Sequence, residues 1–171
     1  MRRTLFESFT RGPLTEPPPQ PDAAGLAEFA QSVNRAARAR LGRSLSIRQI
    51  DAGSCNGCEL EIHALNNAFY DLERFGLHFV ASPRHADVLM VTGPVTKNMR
   101  EALKRTYDAT PDPKWVIAVG ACAADGGVFA GSYAVAGGVK DVVPVDLTIA
   151  GCPPNPRQLL AGLLALLQTA S

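Results

Sequence analysis

LSIRQIDAGSCNGCELEIHAL, residues 45–65, begins as a β-rich run, passes through Gly53 and Gly57, and ends in apolar residues at helical spacing. Cys55 and Cys58 stand three positions apart between the two patterns. A strand over residues 45–50, a loop holding the thiols and a helix over 60–73 are expected. The alternation continues along the chain. Strands are expected over 77–81, 86–92, 115–119 and 145–149, with helices from about 97 to 107 and from 155 onward. Strands alternating with helices imply an α/β fold built on a doubly wound parallel sheet. There is no internal repeat.

On this reading each remaining cysteine also follows a strand. Cys122 comes just after AVG (118–120) and Cys152 just after TIAG (148–151). In an open parallel sheet the carboxyl ends of the strands form one edge, where ligands bind. Thiols separated by 63 and 29 intervening residues therefore converge there.

The chain has 171 residues, 46% of them hydrophobic, enough for one domain with a sizeable core. Its net charge is +1, unevenly spread: residues 1–50 carry eight Lys and Arg against four Asp and Glu. The basic arm suits nucleic acid or anionic lipid, but the body is mildly acidic and neither strongly cationic nor aromatic-rich, so an acidic partner protein is an equally good expectation for it. No uncharged run reaches the roughly 20 residues of a membrane-spanning helix. MRRTLFESF (1–9) resembles a twin-arginine signal, but RGPLTEPPPQP (11–21) follows in place of an apolar region, so the segment reads as retained and the chain as cytoplasmic. Cysteines in that compartment stay reduced, which points to metal binding or redox work rather than disulfides.

Residues 1–21 form a basic, proline-rich arm and linker. Residues 22–43 read as an amphipathic helix, with Asp22 as its cap, an apolar stripe over Leu26, Phe29, Ala30, Val33, Ala37 and Leu41, and Arg35, Arg38, Arg40 and Arg43 clustered near its carboxyl end. Such a helix lies on the body of the domain, residues 44–171.

Three readings of the thiols compete. Structural zinc normally uses two closely spaced pairs, whereas this chain has one pair and two distant singles. A cuboidal iron–sulfur cluster takes thiolates from several directions, and three loops supplying two, one and one surround it well. Glycines beside each cysteine (53 and 57, 120, 126 and 127, and 151) let main-chain N–H groups approach cluster sulfur. Buried or catalytic thiols are the third reading.

SCNGCELE (54–61), SPRHADVLMVTGPVTKNM (82–99), VGACAADGGVF (119–129) and IAGCPPNP (149–156) resemble, in that order, the small subunit of membrane-bound, energy-converting nickel–iron hydrogenases of the formate hydrogenlyase and carbon-monoxide-induced types. The match runs from about Ser44 to Leu167. That family is homologous to the 20 kDa subunit of respiratory complex I, and its fold is flavodoxin-like. The resemblance implies one proximal [4Fe–4S] cluster on Cys55, Cys58, Cys122 and Cys152. It also implies a relay of electrons between a ferredoxin-like subunit and the large subunit with the nickel–iron site, with integral-membrane subunits holding the complex at the inner face of the cell membrane. The catalytic centre lies in a partner. Complex I subunits have adjacent cysteines where this chain has spaced CNGC, which favours the hydrogenase branch over a quinone-reducing subunit. A zinc-stabilised interaction module is the remaining alternative.

Glu59 and Glu61 are placed in the first helical turn, where the helix dipole favours acidic groups. Glu61 matches a family glutamate three residues past the second cysteine and is a candidate for proton coupling. Arg84, His85, His63 and His78 read as ordinary loop or surface residues, not ligands. The loop Thr92–Thr96, with Gly93, is expected to line the cluster from behind. AADGGVFAGSYAVAGGV (123–139) is expected to pack on the large subunit. The uncharged tail, with leucines 159, 160, 163, 164, 166 and 167, wants burial on several sides and is expected to meet a partner on one of them.

Overall fold

The structure is a computed structural model that describes residues 23–169. The arm over 1–21 and the Asp22 cap lie outside the described residues. Five parallel strands form the main sheet: β1 (Leu45–Asp51), β2 (Leu77–Phe79), β3 (Val88–Thr92), β5 (Trp115–Val119) and β7 (Leu147–Ile149). Their order is β2-β1-β3-β5-β7, the flavodoxin-like arrangement, with all four pairings parallel. A small antiparallel pair joins β4 (Val95–Thr96) to β6 (Val135–Gly137).

β3 and β5 are buried at every residue, which is why VLMV and WVIAV are unbroken apolar runs, closed in β3 by Thr92, whose buried hydroxyl donates to Ile50 O. Alternate residues feed two cores. Val88 and Met90 join Leu45, Ile47, Leu77 and Ile117 under α1 (Ala23–Leu41) and α5 (Pro156–Thr169). Leu89 and Val91 join Ile50, Val116 and Ala118 on the other face, with Leu103 of α3 (Arg100–Ala109) and Ala123 of α4 (Ala121–Asp125).

Two expectations change. The helix after the first thiols, α2, covers only Gly57–Ala64 rather than reaching residue 73. Asn67 Oδ1 accepts from the N–H groups of Phe69 and Tyr70, each at 2.9 Å, and turns the chain away. The leucine-rich tail needs no second subunit to bury Leu159, Leu160, Leu163, Leu166 and Leu167. Leu26, Ala30, Val33 and Ala37 of α1 pack into the same core, so the amino-terminal helix supplies the cover.

The amino ends of the strands are tied by Asp87, which is 2% exposed. Its carboxylate accepts from both terminal nitrogens of Arg43, at 3.0 and 2.5 Å, and from the Ser46 N–H at 2.9 Å. Arg43 is half exposed, so its loss of a partner is softened by water, but the Ser46 N–H is not compensated. Asp87→Ala is expected to lower unfolding free energy by about 2 kcal/mol in urea titration. A change below about 0.5 kcal/mol would mean that this junction is idle.

Candidate metal centre

The carboxyl ends of β1, β5 and β7 deliver the cysteines. After β1 the chain turns on Asp51, whose Oδ1 accepts from the N–H groups of Gly53 and Ser54, both at 2.8 Å. Ser54 Oγ then accepts from the Asn56 N–H at 3.0 Å, and Asn56 takes φ 70° to start α2. The turn sets Cys55 before the helix and Cys58 within its first turn. Behind it, the loop after β3 is pinned by Thr96, whose N–H and hydroxyl both donate to the Ala52 carbonyl, at 2.9 and 3.1 Å.

Cys122 sits in α4, entered through Gly120 at φ 85°. Gly120 N–H donates to Ile149 O and Ala121 N–H to Gly151 O, both at 2.8 Å, so the Cys122 and Cys152 loops are stitched together. The bond from Cys152 to Pro153 is cis.

Cys55, Cys58, Cys122 and Cys152 line one cavity of about 80 Å³, with Gly93 and Pro153 among its walls. The expected convergence is therefore present, and Gly93 stands where the second loop was expected to approach. His63, His78, Arg84 and His85 are not among the lining residues. The volume is far below the roughly 300–1,000 Å³ of organic ligand sites. Among the described residues no three His, Cys, Asp or Glu side chains converge to hold a single metal ion.

The surroundings fit a sulfur-rich inorganic group. A Cβ on Gly120 would lie 2.8 Å from Cys58 Sγ, and one on Gly127 would lie 2.9 Å from Cys122 Sγ. Any side chain at either position would occupy the space the sulfur uses. The Val128 N–H donates to Cys122, which opposes the upward push that burial and then Cys152 give that thiol. Burial drives the Cys58 thiol up to about 11, followed by Glu59 and the other three cysteines. A cationic group in the cavity would offset the burial and the thiolate repulsion that raise Cys58 and Cys122.

The burial of Glu59 has no signal in the sequence. It is 4% exposed and both carboxylate oxygens lack a hydrogen-bond partner. Glu61, half-buried, falls in the second turn of α2 rather than the first. Asp51 was also missed, although Asp followed by Gly at +2 and Ser at +3 is a turn signal. Among the described residues Leu60, Phe69, Val128, Phe129 and Tyr133 are exposed apolar side chains, Tyr133 by 90%; Leu60 lies two residues past Cys58, and the Val128 N–H is the one that meets Cys122.

A family model described as "NADH ubiquinone oxidoreductase, 20 Kd subunit" matches residues 55–166, a span that begins at Cys55 and holds all four cysteines. The chain belongs to this family. Within the 20 kDa-subunit family it is 48% identical over 128 residues to the probable membrane-bound hydrogenase subunit mbhJ of Pyrococcus furiosus, covering 75% of this chain and 77% of that one. It is also 48% identical over 123 residues to formate hydrogenlyase subunit 7 of Escherichia coli, covering 72% of this chain but about half (48%) of that protein. Among solved structures it resembles a chain of the archaeal membrane-bound sulfane sulfur reductase at TM-score 0.66 and 36% identity, covering 81% of this chain and 74% of that one. An NAD+-reducing [NiFe]-hydrogenase chain at 20% identity and TM-score 0.57 shares the fold, over 74% of this chain and 92% of that one. No helix among the described residues is long and apolar enough to cross a membrane.

Proposed function

We propose that this member of the 20 kDa-subunit family is the electron-transfer subunit of a membrane-associated hydrogenase complex, holding one [4Fe–4S] cluster on Cys55, Cys58, Cys122 and Cys152. The observation that carries the reading is the meeting of four thiols from three loops on one small cavity. Zinc bound by four thiolates at about 2.3 Å needs sulfurs gathered on one point. Here one close pair and two distant singles reach the cavity from three loops, a delivery that suits the separate irons of a cube. When bound, the cluster supplies storage and transfer of one electron at a time.

The chain's own residues hold and bias that group. The Val128 N–H and the glycine-lined walls bring main-chain dipoles to sulfur, a lever on reduction potential. Because the Cys58 and Cys122 thiols are pushed upward, loading with iron and sulfide must displace their protons. Anaerobic reconstitution at pH 7 is expected to release more protons than the added sulfide gives up on its own, the excess coming from the thiols. Release equal to the sulfide contribution alone would contradict thiol ligation.

The exposed apolar group Leu60, Val128, Phe129 and Tyr133 is assigned to the large, nickel–iron subunit, with a ferredoxin-like subunit as electron partner and integral-membrane subunits as the anchor at the cytoplasmic face. Glu61, on the helix that carries Cys58, is the carboxylate assigned to proton coupling. Glu61→Gln is expected to slow hydrogen turnover at least about tenfold with the cluster signal retained. Unchanged turnover and proton coupling would remove Glu61 from the scheme.

The family description favours one rival, a quinone-linked complex I-like subunit. The spaced Cys55 and Cys58, and relatives named as hydrogenase and formate hydrogenlyase subunits, support the hydrogenase reading. Metal analysis of the native complex separates them: nickel with hydrogen-dependent turnover supports hydrogenase, and nickel-free, quinone-dependent oxidation defeats it.

A further inference from the structure

A second cavity lies where β2 stops short of its neighbour. β2 ends at Phe79 while β1 runs on to Asp51, and their pairing closes with Ile47 opposite Phe79. The ladder closes with the Val80 N–H donating to Ile47 O at 2.8 Å, and beyond it a cavity of about 250 Å³ opens, with Val80 and Ala81 on its β2 side. Arg48 and Gln49 of β1, Ile62 and His63 of α2, Asn66 and Phe79 wall it.

The polar members of this wall are unengaged. Among the described residues the Arg48 guanidinium makes no hydrogen bond or ion pair, and its Nε is buried without a partner. Gln49, half-buried, and His63 and Asn66, both exposed to water, have no side-chain hydrogen bond to protein among the described residues and are free to face a ligand. Glu59 does not neutralise Arg48, since its own buried oxygens are also unpartnered. The Arg48 Nε is a buried donor left unpaired, which is destabilising in the empty cavity. Such a cost is expected where a ligand completes the bonds.

The chemistry of that ligand follows from the wall. A guanidinium presents a planar fork that matches a carboxylate in two parallel bonds. The amides of Gln49 and Asn66 add neutral donors. Ile62 and Phe79 give an apolar flank suited to a short hydrocarbon body rather than to a bare inorganic anion. The volume is below the usual range for drug-sized or cofactor ligands, which limits the body to a few carbons.

We propose that this cavity binds a small carboxylate of about two to four carbons, with Arg48 as its anchor. The same chemistry is available from a free short-chain acid or from a carboxylate side chain of a partner subunit. The proposal is independent of what the four cysteines hold.

The test uses the full-length chain, with butyrate as the probe followed by calorimetry or ligand-observed NMR. Saturable one-site binding is expected, with Kd raised at least about tenfold in Arg48→Gln, the loss of one charge-assisted interaction. Arg105→Gln, on exposed α3, should leave Kd unchanged. Thermal unfolding of ligand-free Arg48→Gln should occur at the same temperature or higher, because the substitution removes a buried unpaired donor. This separates a binding role from a structural one. Retention of butyrate binding in the assembled complex assigns the site to a free acid. Binding lost on assembly, together with weaker assembly of Arg48→Gln, assigns the carboxylate to a partner. No saturable binding by the chain, equal affinity of wild type and Arg48→Gln, or no preference for butyrate over inorganic phosphate would each overturn the proposal.

Discussion

Cys152→Ala is expected to remove the reducible four-iron signal from the anaerobically purified chain and to cut electron transfer through the assembled complex by more than about a hundredfold. Changes beside a metal site already cost about 10–100-fold, and here a ligand itself is lost. Cys152 is exposed, so the cluster-free variant should unfold within about 0.5 kcal/mol of the cluster-free parent. Stability and cluster content are thus separated in one protein. Full iron and sulfide content with normal turnover in Cys152→Ala would show that this loop faces the cavity without holding anything.

Gly93→Ala tests the wall behind the site. Gly93 has φ +73°, and a Cβ there would lie 2.6 Å from Ser54 N and 2.7 Å from Ser54 Cα. The obstacle is backbone, not a flexible side-chain tip, so relief requires movement of the loop that carries Cys55. Left-handed strain of about 1–2 kcal/mol adds to overpacking of about 1–3 kcal/mol. A loss of about 3 kcal/mol in urea unfolding is expected, together with cluster occupancy reduced at least about tenfold on reconstitution. Native stability and full occupancy would show that the Ser54–Cys55 turn tolerates displacement and that Gly93 has no part in placing the thiols.

Much of this architecture was visible in the residues because burial on both faces leaves a plain trace. VLMV and WVIAV are unbroken apolar runs because both faces of β3 and β5 are covered. The site was visible because glycine and cysteine recur after three of the strand signals, and a parallel sheet brings those ends to one edge. Periodicity failed where side chains mimic a helix without forming one. Leu65 and Leu72 are both buried, but the Leu72 N–H donates to Leu65 O at 3.1 Å across a turn shaped by Asn67. A stripe of leucines shows that a face must be covered and not which surface covers it, which is why the packing of α1 on α5 could not be read from the residues alone. Likewise the cavity at Arg48 depends on β2 being three residues long while β1 has seven, a mismatch of pairing rather than of composition. Glu59 and Glu61 look alike in the sequence, and only the helix orientation buries the first and half-exposes the second.

The most direct measurement is the count of iron, acid-labile sulfide and zinc in the full-length chain purified without oxygen. About four irons and four sulfides per chain are expected, with the signal of a reducible four-iron centre. One zinc per chain without sulfide would contradict the central claim that the four converging thiols hold a redox cluster.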